Sequence, residues 1–268
     1  VKKPWRPSAL IVASLACHAL ALPVVWLDPT TWPVVLACLA ANHLLVMGLS
    51  LWPRSQVLGP NLSRLPEAAV SRGEVAITID DGPDPEVTPQ VLRVLAAQGV
   101  PATFFCIGER ARAHPDLCRQ ACAEGHDVEN HGQRHPVLAS LMGPGGWRQE
   151  VGGGALTLEA ITGRRPRFYR AVAGLRNPWL DPVLHRLGLK LASWTRRGFD
   201  TRAQDPDVVL RRLTTNLQAG DILLLHDGHA ARTRDGLPVI VEVLPRLITA
   251  IRAQGLTPVT LSQACKQR

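Results

Sequence analysis

The stretch Glu74-Val75-Ala76-Ile77-Thr78-Ile79-Asp80-Asp81-Gly82-Pro83 decides how the rest of the chain is read. Its first half is rich in β-branched residues, the composition of a buried strand, and it stops at two carboxylates and a Gly-Pro turn signal. A strand over about 75–80 therefore carries Asp80 and Asp81 side by side at its C-terminal end. Two adjacent carboxylates repel each other and need a cation to stay ionised together. The plainer alternative is a solvated turn, because Asp-Gly-Pro also makes turns.

Working outward, runs of the same kind recur at 102–107, 126–130, 167–171, 189–194, 221–226 and 257–261. Segments of helical period separate them, near 88–98, 115–124, 147–162, 180–187, 205–217 and 238–254. Strands alternating with helices predict a mostly parallel sheet with helices outside it, wound open or closed as a barrel. Seven such repeats favour an imperfect barrel. Gly143, Gly145, Gly146 and Gly152 to Gly154 crowd the start of the third helix. Each glycine costs a helix about 1 kcal/mol against alanine, so this helix is expected to begin late or to break.

Reactive groups in α/β barrels sit where the strands end, because the loops leaving the C-terminal edges share one mouth. The polar residues at the predicted strand ends are Asp80, Asp81, His131, His135, Arg170 and His226, with Trp194 closing the fifth strand. Two imidazoles and one carboxylate suit a catalytic divalent metal that keeps a position open for water. His131 and His135 have the spacing of one helical turn, though His-x-x-x-His alone says little.

Three motifs, Thr78-Ile79-Asp80-Asp81-Gly82-Pro83, His131-Gly132-Gln133-Arg134-His135 and Leu224-Leu225-His226-Asp227, stand in this order in the chain. They resemble the signature motifs of the polysaccharide deacetylase family (NodB homology, carbohydrate esterase family 4), and the resemblance covers about residues 74–262. It implies an α/β fold, an incomplete (β/α)7 barrel, and hydrolysis of an N-acetyl or other N-acyl group on an amino sugar. Residue by residue, it implies Asp80 as general base, Asp81, His131 and His135 as ligands of a divalent metal, and His226 as general acid. The metal implied is Zn2+, with Co2+, Ni2+ or Mn2+ as alternatives. Arg170, in Phe168-Tyr169-Arg170, resembles the arginine that holds the catalytic aspartate, and Asp200 the carboxylate that tunes the acid histidine. Asp227 reads as structural. Ala171-Val172-Ala173 departs from the prolines and aromatic residue usual after that arginine, and Thr201 from a usual tryptophan. A backbone N–H near Ala173 can still serve an oxyanion, since that role needs no particular side chain.

Ahead of this domain, residues 8–27 and 34–52 are two nearly uncharged apolar runs of membrane-crossing length. Asp28 to Pro33 leaves room only for a tight turn, so a transmembrane helical hairpin is expected over 1–53, then a linker over 54–73 and the catalytic domain over 74–268. Lys2, Lys3 and Arg6 precede the first run, Arg54 and Arg64 follow the second, and the turn has no Lys or Arg. That bias puts the catalytic domain on the cytoplasmic face of a bacterial inner membrane. A rival reading takes residues 1–21 as a signal peptide and the domain as periplasmic. His18, Asn42 and His43 interrupt the apolar runs at similar depth, which predicts an interhelical hydrogen bond.

The formal net charge of +8 is almost wholly arginine, with four lysines scattered along the chain. No nucleic-acid motif accompanies it, so the basic balance points to anionic lipid or a phosphorylated substrate. The six cysteines lack a C-x-x-C pair and read as packing residues. A barrel tethered at lipid meets a lipid-linked N-acetylated amino sugar more readily than an exported polymer. The arrangement resembles the family members that act on undecaprenyl-phosphate-linked sugars in envelope glycan or lipid A modification. The alternatives are a periplasmic peptidoglycan or exopolysaccharide deacetylase, a hydrolase of non-sugar amides, and a non-catalytic glycan-binding barrel. The oligomeric state is left open.

Overall fold

In the computed structural model, which describes residues 4–266, all strand pairings are parallel. Lys2 and Lys3 lie outside the described residues. The strands are β1 (Glu74–Gly82), β2 (Thr103–Cys106), β3 (Asp127–Asn130), β4 (Phe168–Tyr169), β5 (Lys190–Leu191), β6 (Arg196–Arg197), β7 (Ile222–His226) and β8 (Thr257–Val259). Their order is β5-β4-β3-β2-β1-β7-β6, with β8 against the front of β1. Seven strands thus form an incomplete barrel, although not the seven expected. The run at 257–261 leaves the main path, and the run at 189–194 yields β5 alone, before the chain crosses to a two-residue β6 beside β7.

The segment expected to be a linker bonds to the chain at the open edge of β5. Leu62 donates its N–H to the Leu191 carbonyl and accepts from the Ser193 N–H, both at 2.9 Å. Leu58, Leu65 and Ala69 of the same segment are buried.

The helices are α1 (Ala9–Leu27), α2 (Trp32–Ser50), α3 (Glu67–Ser71), α4 (Thr88–Gln98), α5 (Gly108–Ala113), α6 (Pro115–Ala123), α7 (Pro144–Thr162), α8 (Leu180–Leu187), α9 (Pro206–Thr214), α10 (Val239–Ala253) and α11 (Leu261–Ala264). β1 shows why the barrel holds polar groups inside. Side chains alternate along a strand, so Val75, Ile77 and Ile79 point out to the core under α4, α9 and α10. Ala76, Thr78 and Asp80 point inward, and Thr78 and Asp80 meet Arg170 there.

Contrary to expectation, α7 starts at Pro144 and runs unbroken through all its glycines. The reason is tertiary. A Cβ at Gly154 would lie 2.3 Å from Asn130 Oδ1 and 2.8 Å from the Gly132 backbone, so the missing side chain lets α7 press against the end of β3.

α1 and α2 are each long and apolar enough to cross a membrane, and their surfaces are largely exposed. The expected bond between them exists, with a different partner. Asn42 Nδ2 donates to Ser14 Oγ at 2.9 Å, while His18 and His43 bond the carbonyls one turn back and meet edge-on, 5.1 Å between rings.

Candidate active site

Strand register brings the site together. Asp80 on β1 is paired with His226 on β7 and Phe105 on β2, and Asn130 on β3 is paired with Cys106 and Tyr169, so the strand ends lie level. The residues just past them enclose a cavity of about 230 Å³ whose lining includes Asp80, Asp81, His131, His135, Trp194 and His226.

Asp80 is buried, with Oδ1 2.6 Å from Arg170 Nη1 and Oδ2 3.8 Å from His131 Nε2. Arg170 is fully buried and also donates to Thr78 Oγ1 and to the Ser193 carbonyl, with its guanidinium 4.0 Å from the Phe105 ring centroid. Breaking such a buried pair leaves a charge uncompensated, at a cost of about 3–5 kcal/mol.

Asp81 Oδ1 lies 3.2 Å from Nε2 of both His131 and His135. Burial pushes the Asp81 carboxyl up, but hydrogen bonds with His131, His135 and His229 outweigh it and hold the group far below the usual carboxylate range. The Arg170 carbonyl, 2.8 Å from His131 Nδ1, can only accept. That ring therefore carries a proton on Nδ1, and a cation bound at Nε2 would displace the proton shared there with Asp81. Asp81 and His135 both have left-handed backbone, φ 72° and 59°. This conformation costs a non-glycine residue about 1–2 kcal/mol, and here it turns both side chains toward one point.

His226 donates from Nδ1 to Asp200 Oδ1 at 2.8 Å, and its backbone N–H reaches Asp200 Oδ2 at 2.7 Å. Burial pulls the His226 pKa down, and the Asp200 carboxylate more than reverses this, so the ring is held protonated above its ordinary value. Asp227 faces away from the cavity, bonded to Thr88 Oγ1 and the Gly228 N–H, and burial raises its carboxyl to about 7. Every residue assigned a catalytic or ligand role from the sequence is thus at or against this cavity, and Asp227, read as structural, is not.

The sequence profile of the polysaccharide deacetylase family matches residues 67–192. A chitooligosaccharide deacetylase of Sinorhizobium fredii is 34% identical over 75% of this chain and 96% of its own length. The chain belongs to the polysaccharide deacetylase family. A peptidoglycan-N-acetylglucosamine deacetylase of Bacillus cereus is 31% identical, over 72% of this chain and 89% of its own. The crystal structure of the Bc1960 peptidoglycan N-acetylglucosamine deacetylase superposes with a TM-score of 0.69 at 27% identity, covering 76% of this chain and 92% of that one.

Within this polysaccharide deacetylase barrel, three side chains support the site that the sequence did not single out. Glu150 of α7 is buried and accepts the backbone N–H groups of Arg134 and His135, both at 2.8 Å, which fixes the loop carrying His135. Arg110 of α5 donates to the Asp81 carbonyl and to His229 Nε2, each at 3.0 Å. His229 Nδ1 then faces Asp81 Oδ2 at 3.2 Å. His229 had a weak signal, since it lies three residues past His226 in the same loop. Glu150 and Arg110 had none.

The donor set fits a divalent cation. Asp81, His131 and His135 each offer one ligand atom, and the three atoms lie within 4.8 Å of one another. A carboxylate and two imidazoles with one face toward the cavity are the set that zinc and similar ions accept with a position left open.

Proposed function

We propose that this chain is a divalent-metal-dependent N-deacetylase of an amino sugar. The observation that carries the reading is the convergence of Asp80, Asp81, His131, His135 and His226, from three strand ends, on one small cavity. Asp81, His131 and His135 would hold the cation, most naturally Zn2+ given two nitrogen ligands and one oxygen. When bound there, it would act as a Lewis acid on the amide carbonyl and make water a better nucleophile.

The remaining steps belong to the protein. Asp80, oriented by its ion pair with Arg170, accepts the proton of the attacking water. His226, protonated beside Asp200, donates to the departing amine. The two groups are register partners on β1 and β7 and both line the cavity, so base and acid can reach one bound amide. The Ala173 N–H is our candidate donor to the developing oxyanion. Ala173 lines the cavity in the first turn of a 3-10 segment, where N–H groups have no partner within the turn. As the test, Asp80→Asn should abolish release of acetate from N-acetylglucosamine oligomers while zinc content, read by elemental analysis, stays unchanged. His131→Ala should lose the zinc itself. Full activity in both variants would end this assignment.

For the substrate, we favour a lipid-linked amino sugar at the cytoplasmic face of the inner membrane, with α1 and α2 as a transmembrane hairpin. The lower end of α2 supports this. Arg176 donates its backbone N–H to the Ser50 carbonyl at 3.2 Å, and Pro53 and Trp194 both press on Gly174, which has φ 73° and no room for a side chain. Trp194 and Ala173 line the catalytic cavity, so the hairpin ends beside the mouth. Trp5 and Trp52 flank that end, and Trp26 and Trp32 the other, as interfacial belts do. The 19 residues of α1 span about 28 Å, the thickness of a hydrocarbon core. A second reading, an enzyme of peptidoglycan or chitooligosaccharide on the outer face, is favoured by what the related deacetylases are named for.

A further inference from the structure

The exposed apolar side chains of the barrel are unevenly distributed. Val137, Leu138 and Leu141 are 80%, 67% and 77% exposed, and all three lie in the loop that follows ligand candidate His135. Trp179, 53% exposed, lies in the loop after β4, and Phe199 and Leu237 lie in the loops after β6 and β7. All six are on loops leaving the C-terminal edge of the sheet, the edge that carries the candidate cation site. A single exposed leucine means nothing, but a group of large apolar residues on one face of a soluble-looking domain marks an interaction surface.

This surface is continuous with the hairpin. Leu141 and Trp179 line a cavity of about 420 Å³ together with Met47 and Leu51 of the α2 end, and with Asn42 and His43 further up. On the other flank of Trp179, a cavity of about 510 Å³ joins Leu15 and Val46 to Arg148 and Arg186 of the barrel. Neither arginine has an ion-pair partner among the described residues. Apolar residues beside a tryptophan, with free arginines at the same level, are the composition that lies in a bilayer interface facing anionic headgroups.

We propose that the mouth loops, with the 136–142 loop foremost, insert into the bilayer surface, so that the catalytic cavity opens onto lipid headgroups and not onto bulk water. This deepens the functional reading above and rests on α1 and α2 spanning the membrane. The consequence for substrate is specific: the sugar is offered by a carrier whose apolar chain stays in the bilayer, and the cavity receives the headgroup from the side.

The test uses the full chain in vesicles of phosphatidylethanolamine and phosphatidylglycerol containing an alkyne-tagged phospholipid. A photoreactive benzophenone amino acid replaces, one at a time, Leu138, Leu141, Leu44 of α2, or Leu156. Leu156 is also exposed, but it lies twelve residues along α7 from Pro144, about 18 Å below the mouth. Irradiation should give lipid adduct at Leu138 and Leu141 at about tenfold the Leu156 level, and comparable to Leu44. Adduct at Leu44 with background at Leu138 and Leu141 overturns the proposal and leaves the hairpin reading standing. Background at Leu44 as well removes the membrane-spanning reading, and the proposal with it.

Discussion

Glu150 touches no candidate ligand atom, yet its loss is expected to damage the cation site. Its carboxylate accepts two backbone N–H groups in the His135 loop, and those partly buried donors would lose that partner in Glu150→Ala. Groups that orient ligands in this way are worth about 10–100-fold in metal affinity, so zinc titration of Glu150→Ala should show a loss of that size. Glu150→Gln keeps an acceptor oxygen and should lose much less. Asp200 acts on protonation. The His226 pKa is raised in the folded protein, so the imidazolium proposed as the acid is present below that value and is lost as pH rises through it. Removing the negative charge in Asp200→Asn lowers that pKa, and the alkaline limb of the rate profile should move toward acid. Initial rates across pH check this; an unmoved limb would mean that another group sets it. At this scale the sequence was most legible where function is local. Asp80, Asp81, His131 and His135 lie at strand ends in three ordered motifs that resemble those of the family, whereas adjacency or spacing alone said little. Glu150 and Arg110 have no such signal, because each reaches the site across space from a helix whose own pattern is only amphipathic.

The elements were legible wherever a run was long enough to show its period. β1, β7 and α10 fall close to where they were expected, whereas β6, at two residues, is too short to show alternation. The misreading of α7 is more instructive. Local propensity counted its glycines as a weakness, while packing against Asn130 and Gly132 requires one of them. The two effects separate by position. Gly154→Ala gains about 1 kcal/mol of helix propensity but drives a Cβ into backbone, so a net loss of about 1–3 kcal/mol is expected from overpacking. At Gly152 the nearest atom to an added Cβ is a Leu187 methyl at 3.9 Å, which is ordinary contact. Gly152→Ala should therefore stabilise, by up to about 1 kcal/mol. Thermal unfolding of the two variants should move in opposite directions. Equal stabilisation by both would mean that α7 is not pressed against the β3 loop.

At the scale of the molecule, hydropathy made two apolar helices legible, but nothing in composition revealed that they end beside the catalytic mouth. That contact depends on Gly174, Pro53 and Trp194 meeting from three distant segments. In the proposed arrangement, which side of the membrane the mouth faces rests on charge. Among the described residues, Arg6 precedes α1 and Arg54 and Arg64 follow α2, while the turn between the helices holds Asp28 and no cation. Basic residues flanking spans stay with the cytoplasm, because carrying them across is unfavourable against both the insertion machinery and the membrane potential. A fluorescent protein fused after Arg268 should therefore be bright, and alkaline phosphatase fused at the same point should be inactive. Replacing Arg6 and Arg54 while adding two lysines between Asp28 and Trp32 should weaken this preference and increase phosphatase activity. The opposite result for the unaltered chain would move the barrel to the outer face, and the substrate to a glycan or a carrier-bound sugar exposed there. The geometry at Asp80, Asp81, His131, His135 and His226 would be unchanged by that outcome, because it is set by strand register within the barrel, and the proposed lipid contact of the mouth would hold on either side.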